Sequence, residues 1–149
     1  EPVDLKKLAE EASASLASAA AEKQVTIRVH GDDRQITTVR RLASEIIYNL
    51  CDNAVKYNRP GGSVTVTAEK RGGETVLSVA DTGIGIPYEH QNRVFERFYR
   101  VDKSHSRQLG GTGLGLSIVK HAAAMHKARL ELWSEPDAGT KITVHFDGQ

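Results

Sequence analysis

Residues 107–121 read RQLGGTGLGLSIVKH, with four glycines in six consecutive positions before a helical pattern begins. A glycine-rich loop that opens a helix commonly binds phosphate, because backbone N–H groups and the helix dipole point at the anion. The stretch is not the loop GxxxxGK[ST], since Leu116 stands where that motif requires lysine. Nor is it GxGxxG, because the glycines are spaced two apart, at Gly111, Gly113 and Gly115. A flexible linker is the alternative, but the apolar period of residues 114–126 starts at once and favours an anion-binding loop.

The bulk composition indicates a single globular domain without a strong electrostatic partner. A chain of 149 residues can bury roughly 68–70% of its unfolded surface. The formal net charge of +1 gives no general attraction to nucleic acid or membrane, so no nucleic-acid partner is predicted. The only cysteine, Cys51, cannot form an internal disulfide and is predicted to be a core residue. No apolar run approaches the ~18 residues of a membrane span, and the first residues do not resemble a signal peptide.

Apolar periodicity predicts a domain in which helices cover a sheet. Helices are predicted over about 4–23, with Asp4 as N-cap, and over about 38–57, 89–100 and 114–126. Residues 31–35 are predicted to form a polar turn. Alternating residues predict strands over 25–30, 63–70, 74–81, 129–134 and 140–146. This pattern favours the α+β class.

The second predicted helix carries a polar stripe beside its apolar stripe. At ~100° per residue, Glu45, Asn49, Asn53 and Lys56 fall within about 80° of each other. Amide oxygens are suitable ligands for a nucleotide-bound Mg²⁺, and Lys56 could contact a phosphate. Tyr57, at the edge of this face, could lie against a flat base. The alternative, a polar stripe that simply faces solvent, remains open on this helix alone.

The strand over 74–81 ends in a carboxylate. Its alternation places Asp81 at the end of a largely apolar row, where the exocyclic amine of adenine would supply a hydrogen-bond donor. Gly83 and Gly85 would allow the backbone to approach a ring closely. An ordinary strand-to-turn exit with an Asx turn is the competing interpretation.

Four motifs in order resolve these alternatives: NLCDNAVKY at 49–57, DTGIGI at 81–86, FERFYR at 95–100 and GGTGLGLS at 110–117. Together they resemble the N, G1, F and G2 boxes of two-component sensor histidine kinases. The residues DKSHSR at 102–107 and GGTGLGLSIVKH at 110–121 most resemble the membrane sensor kinases of the phosphate-starvation type. The resemblance extends over about residues 4–146. It implies the Bergerat ATP-binding fold of gyrases, mismatch-repair ATPases and heat-shock chaperones, a two-layer α/β sandwich whose mixed sheet is covered on one face by helices.

The resemblance also implies residue roles. Asn53 would coordinate Mg²⁺ with support from Asn49, and Asp81 would bind the adenine amine. The ATP-binding set implied by the family is Asn49, Asn53, Lys56, Tyr57, Asp81, Gly83, Gly85, Ile86, Tyr99, Arg100, His105, Arg107, Gly111, Thr112, Gly113, Leu114, Gly115, Leu116 and Thr140.

Residues of about 95–110 correspond to the family's ATP lid. Arg100 matches a phosphate contact, whereas His105 stands where relatives often carry arginine. Lys103 and Arg107 could replace that cation.

The family's phosphate acceptor is a histidine followed by an acidic residue on a dimeric helical hairpin, and none of the six histidines has that context. The chain is therefore predicted to be a single ATP-binding catalytic domain, residues 1–149, that contains no catalytic acceptor. The expected partners are the acceptor-histidine domain of its own parent and a response regulator. The fragment is expected to be monomeric and its parent a homodimer, with this domain on the cytoplasmic side of a bacterial plasma membrane.

Two other functions remain as alternatives to a histidine kinase that uses ATP and Mg²⁺. A gyrase-like or chaperone-like ATPase would carry a water-activating carboxylate four residues before the Mg²⁺ asparagine, where this chain has Asn49. A nucleotide-binding relay module without kinase activity would preserve binding alone.

Overall fold

The computed structural model describes residues 2–31, 35–96 and 115–146. The helices are α1 (Leu5–Ser15), α2 (Ala17–Lys23), α3 (Arg40–Lys56) and α4 (Gly115–Met125), with a 3-10 turn at Tyr88–His90. The strands are β1 (Pro2–Asp4), β2 (Thr26–Gly31), β3 (Gln35–Thr37), β4 (Ser63–Arg71), β5 (Glu74–Asp81), β6 (Arg129–Glu135) and β7 (Gly139–Phe146).

Five strands form a mixed sheet in the order β2-β4-β5-β7-β6. β2 and β4 are parallel, and the other neighbouring pairs are antiparallel. β1 and β3 form a separate two-stranded ribbon. The α+β class and the mixed sheet predicted from the sequence are confirmed.

The core lies between one face of the sheet and helices α1, α3 and α4. Alternate residues of the strands are buried there because successive side chains of a strand point to opposite faces. α3 contributes a wide apolar stripe, as an amphipathic helix on a sheet must. Fully buried members include Leu5, Ile46, Ile47, Leu50, Cys51, Val64, Val66, Leu77, Val119 and Val144. The prediction that Cys51 is a core residue is confirmed.

The predicted helix over 4–23 is two helices. Asp4 is the N-cap as predicted, accepting a hydrogen bond from the Lys7 N–H at 3.2 Å. The chain leaves α-helical geometry at Leu16, with φ −98° and ψ 3°, and α2 then ends at Gln24 in the left-handed conformation. Leu16 and Ala20 are both buried, so core packing rather than local helix propensity explains this interruption of the helix.

The helix predicted over 89–100 is wrong for its described part. Residues 88–96 form a 3-10 turn and further turns, with i→i−3 bonds from His90 to Pro87, from Arg93 to His90 and from Glu96 to Arg93. Tertiary contacts explain the difference, because the Gln91 side chain donates to two main-chain carbonyls of the loop and sheet beside it. The remainder of the predicted helix lies outside the described residues.

The short strands β1 and β3 were not predicted. With three residues each they are too short for an alternating pattern, and β3 begins at Gln35, inside the stretch predicted as a polar turn. The β4–β5 and β6–β7 hairpins match their predictions closely. Within the parts of the chain that are described, no helix is both long enough and apolar enough to cross a membrane.

Candidate functional site

The polar stripe of α3 borders the core, as its spacing predicts. Glu45, Asn49, Asn53 and Lys56 are each half-buried, whereas Ile46, Leu50 and Ala54 beside them are buried. The stripe therefore lies at the boundary between the core and the solvent. Half-burial leaves these polar groups reachable by a ligand.

Asn49 lies where α3 meets the start of α4. Its Nδ2 donates to the Glu45 carbonyl oxygen at 2.7 Å, so the amide is fixed on its own helix. A Cβ placed on Gly115 would lie 3.6 Å from Asn49 Oδ1. The last glycine of the GGTGLG stretch thus lies against the Asn49 amide, and Leu116 packs against the core just after it.

Asn53 and Lys56 follow on the same stripe, one and two turns later. The Asn53 side chain makes no hydrogen bond with any residue in 2–31, 35–96 or 115–146. Lys56 Nζ forms an ion pair with Asp52 Oδ2 at 3.0 Å. Lys23 Nζ donates to the Lys56 carbonyl oxygen at the end of the helix, and burial lowers the pKa of Lys23. Among the described residues, no hydrogen bond occupies the Asn53 amide.

Asp81 closes the sheet next to this helix. It pairs with Val64 on one side and Thr140 on the other. Its Oδ1 accepts from the Gly83 N–H at 2.8 Å, and the carboxylate also accepts from the Thr140 N–H. Burial raises the pKa of Asp81 to about 6. The two hydrogen bonds favour the ionised carboxylate and so partly offset this rise in pKa.

Glycine is required at two places in the loop that follows Asp81, which we call the base loop (residues 81–86). A Cβ on Gly83 would lie 2.3 Å from the Tyr57 carbonyl oxygen. A Cβ on Gly85, where φ is +72°, would lie 2.1 Å from the Glu135 carbonyl oxygen. The base loop is thus held between the end of α3 and the β6–β7 hairpin, with no room for a larger side chain at either contact.

Asn58, which the sequence reasoning did not single out, fastens the end of α3 to the base loop. Its side chain is only 4% exposed. Nδ2 donates to the Ser63 carbonyl oxygen at 2.9 Å, and Oδ1 accepts from the Arg59 N–H at 2.8 Å and from Thr82 Oγ1 at 3.4 Å. The Ile84 N–H adds a bond to the Tyr57 carbonyl oxygen at 3.1 Å. An amide just after a helix ending was the available signal.

Ser134 makes the corresponding connection on the other side of the base loop and was also missed. Its hydroxyl is buried, accepts from the Ile86 N–H at 2.8 Å and donates to the Gly139 carbonyl oxygen at 2.9 Å. Thr140 Oγ1 lies 2.9 Å from the Ser134 hydroxyl oxygen. The Asp137 N–H donates to the Ile84 carbonyl oxygen at 2.8 Å. Ser134 could have been found from the hairpin register, since it directly opposes Thr140.

In the structure, described residues of the predicted site form two groups. Asn49 lies against Gly115, next to Leu116, on the helix side. Asp81, Gly83, Gly85, Ile86 and Thr140 are joined on the sheet side, and Tyr57 joins this group through its carbonyl oxygen. The predictions for Tyr99, Arg100, His105, Arg107, Gly111, Thr112, Gly113 and Leu114, and most of the lid over 95–110, lie outside the described residues.

The amide oxygens of α3 are candidate ligands for a metal ion at this site. Among residues 2–31, 35–96 and 115–146, no three His, Cys, Asp or Glu side chains come together as a metal site. The asparagine oxygens of α3 remain as neutral hard ligands, of the kind that Mg²⁺ accepts alongside water and phosphate.

Comparison with known proteins decides the family. A family model described as histidine kinase-, DNA gyrase B- and HSP90-like ATPase matches residues 38–149. The chain belongs to this ATPase family. The match includes α3, the base loop and the GGTGLG stretch.

Within this family the chain is similar to sensor histidine kinases. It is 43% identical over 150 residues to the sensor-like histidine kinase SenX3 of Mycolicibacterium smegmatis, covering 95% of this chain and 37% of that protein. It is 50% identical over 100 residues to the phosphate regulon sensor protein PhoR of Pseudomonas aeruginosa, covering 66% of this chain and 22% of PhoR. The structure superimposes on the mycobacterial sensor histidine kinase MprB with a TM-score of 0.86 and 28% identity, covering 100% of this chain and 97% of that one. The chain thus spans about a third of SenX3, and its fold is that of a histidine kinase catalytic domain.

Proposed function

We propose that this domain binds ATP with Mg²⁺ and donates the γ-phosphoryl group to a histidine on a separate helical domain of a two-component sensor kinase. The observation that carries the proposal is the half-buried Asp81 carboxylate, held at the margin of the sheet by the Gly83 and Thr140 N–H groups. A partly desolvated carboxylate favours a further donor, and an exocyclic purine amine supplies one.

The base loop supports a flat base because its own conformation is fixed on both sides. Asn58 and the Tyr57 carbonyl oxygen hold it from α3, and Ser134 holds it from β6. Preformed sites lose little conformational entropy on binding, so a rigid loop favours affinity. Tyr57 would flank the base, as the family resemblance implies.

The triphosphate and its ion fit the helix side of the site. The Asn53 amide makes no side-chain hydrogen bond within the described residues, and Asn49 Oδ1 lies beside Gly115 at the start of α4. Asn53 would hold Mg²⁺, with Asn49 in support, and Lys56 would contact a phosphate. Bound Mg²⁺ would neutralise negative charge on the transferring phosphoryl group. The backbone N–H groups at the start of α4 favour an anion there.

The transfer requires no base from this chain. A neutral imidazole nitrogen of the acceptor would form the new P–N bond while the bond to the β,γ-bridging oxygen breaks and ADP leaves. The domain supplies position and charge, the two main contributions in phosphoryl transfer.

Hydrolysis is disfavoured by Asn49. An ATPase of the gyrase type needs a carboxylate to activate water, and Asn49 is a neutral amide whose Nδ2 is already bonded to the Glu45 carbonyl oxygen. An amide in this arrangement cannot take a proton from water.

The partners follow from the proposed reaction. The acceptor-histidine domain of the parent would receive the phosphoryl group, and a response regulator would take it next. Relatives such as SenX3 and PhoR are named as sensors. We place the domain on the cytoplasmic side of a bacterial plasma membrane, where ATP is present, as part of a homodimeric parent.

The proposal is tested by incubating the chain with γ-labelled ATP and Mg²⁺, alone and with acceptor helices from a sensor kinase. We expect slow or no phosphate release alone and labelled helices when both are present. Asp81→Asn should remove most ATP binding in calorimetry, because the amide can turn its own donor toward the base amine, while circular dichroism stays unchanged. Phosphate release at equal rates with and without acceptor, and no labelled helices, would indicate an ATPase instead.

A further inference from the structure

Three polar side chains form a row across the sheet at its margin. Asp81 on β5 pairs directly with Thr140 on β7, and Thr140 pairs directly with Ser134 on β6. Directly paired residues of antiparallel strands lie on the same face, so the three side chains are neighbours. We call them the acceptor row.

The protons of the acceptor row can be assigned from the hydrogen bonds. The Ser134 hydroxyl has one proton, and it donates to the Gly139 carbonyl oxygen, a group that can only accept. The Ile86 N–H occupies one lone pair of Ser134 Oγ. Thr140 Oγ1, at 2.9 Å, must then be the donor to the second lone pair. The opposite assignment would deprive the buried Gly139 carbonyl oxygen of its Ser134 donor, which costs free energy.

This assignment fixes how Thr140 behaves toward a ligand. With its proton directed at Ser134, Thr140 presents only lone pairs beside the Asp81 carboxylate, which is itself an acceptor when ionised. The wall formed by these two side chains therefore offers acceptors and no side-chain donor.

We propose that Ser134 is a specificity-determining residue that acts through Thr140, making the base pocket select a 6-amino purine over a 6-oxo purine. The inference rests on the proposed nucleotide-binding function. Adenine presents an amine donor at position 6, whereas hypoxanthine presents a carbonyl oxygen there. An acceptor facing two acceptors finds no proton, so the 6-oxo base is rejected.

Removal of the Ser134 hydroxyl would release the Thr140 proton. In Ser134→Ala, Thr140 can rotate its hydroxyl and donate to a ligand oxygen, directly or through a water. Rejection of the 6-oxo base then weakens, although Asp81 still disfavours it. The preference, and not only the overall affinity, is what should change.

The experiment measures dissociation constants of ADP and inosine diphosphate by calorimetry at pH 8, where Asp81 is ionised. The proteins are the wild type, Ser134→Ala, Ser134→Cys, Thr140→Val and the Ser134→Ala/Thr140→Val double variant. Thr143→Val is the matched control, because Thr143 lies on the same strand at a position that alternation turns to the opposite face.

We expect the wild type and the control to prefer ADP equally. Ser134→Ala should reduce that preference by about tenfold, the value of one hydrogen bond. Ser134→Cys, whose thiol is a weak donor, should fall between them. In the Thr140→Val background, Ser134→Ala should cause no further change in preference. Valine has no hydroxyl proton that loss of the Ser134 hydroxyl could release.

An equal loss of affinity for both nucleotides in Ser134→Ala would overturn the inference and leave Ser134 a purely structural residue. If that variant does not fold, a wild-type preference in Ser134→Cys would overturn it equally. Failure of the wild type to bind either nucleotide would refute the nucleotide site itself, and the inference with it. Binding with an unchanged preference would refute only the role of Ser134.

Discussion

At the scale of single residues, the site depends on polar groups whose surroundings restrict them to one role. Asp81 could be predicted from its place at the end of an apolar strand row, and Asn49 and Asn53 from helical spacing. Asn58 and Ser134 were missed because each also contacts a group that is distant in sequence: Asn58 Oδ1 accepts from Thr82 Oγ1, and Ser134 Oγ accepts from the Ile86 N–H. Ser and Asn occur at many turns because their side chains bond to nearby backbone groups. Their presence in the sequence therefore does not indicate a contact with a distant segment.

The stability of the fold should decrease as pH rises through the titration of Asp81. Its folded-state pKa of about 6 exceeds the value of 3.8 expected when unfolded. The folded state therefore binds this proton more tightly than the unfolded state does. Below pH 4 the difference contributes up to about 3 kcal/mol to the unfolding free energy, and this contribution is lost as the pH rises to about 6. Urea titrations from pH 4 to 7 should show this slope in the wild type and lack it in Asp81→Asn. Equal slopes in both proteins would contradict the assignment.

Asn53→Ala should weaken ATP binding mainly when Mg²⁺ is present. The variant removes an amide oxygen that is otherwise without a side-chain partner among the described residues, so the loss falls on the ion and not on the fold. We expect a reduction of about tenfold or more with Mg²⁺ and a small change with EDTA, measured by calorimetry. Ser44→Ala, on the exposed side of the same helix, is the control. Equal losses with and without the ion would remove Asn53 from the metal site.

At the scale of elements, the long periodic segments could be predicted and the short ones could not. α3 and the two antiparallel hairpins have patterns long enough to identify. The three-residue strands β1 and β3 depend on each other, and the residues after Tyr88 follow turns because Gln91 is bonded to the sheet. Tertiary contacts override local propensity in all of these cases.

The junction between α3 and the base loop should be sensitive to loss of Asn58. Asn58→Ala removes one of two donors to the Ser63 carbonyl oxygen and the acceptor of the Arg59 N–H, and we expect the unfolding free energy to fall by about 1–3 kcal/mol. ATP affinity should also fall, because Thr82 loses an acceptor. Chemical unfolding and calorimetry would measure both quantities, with the exposed Asn92→Ala as control. An unfolding free energy equal to that of the control would show that the Asn58 bonds contribute nothing.

At the scale of the whole molecule, one core joins the helix that carries the asparagines to the sheet that carries Asp81. Leu77 lies on β5 in this core and is fully buried. The two halves of the site therefore keep their relative position only while the core is intact.

Leu77→Ala should lower the unfolding free energy by about 2–5 kcal/mol, because it leaves a cavity under α3. Val39→Ala, at a side chain that is 55% exposed, should change it by less than about 0.5 kcal/mol. Thermal unfolding followed by circular dichroism should show one transition in each protein. Two separate transitions in the wild type would contradict a single core.

The parallel pairing of β2 with β4 has a practical consequence for where this domain can be cut. α3 lies within the crossover that connects those two strands, and α1 packs against α3. Expression of residues 38–149 alone would leave β4 as a bare edge and uncover the part of α3 that contacts α1. A soluble version for crystallography or inhibitor screening should therefore retain the residues from the start of β1 onward.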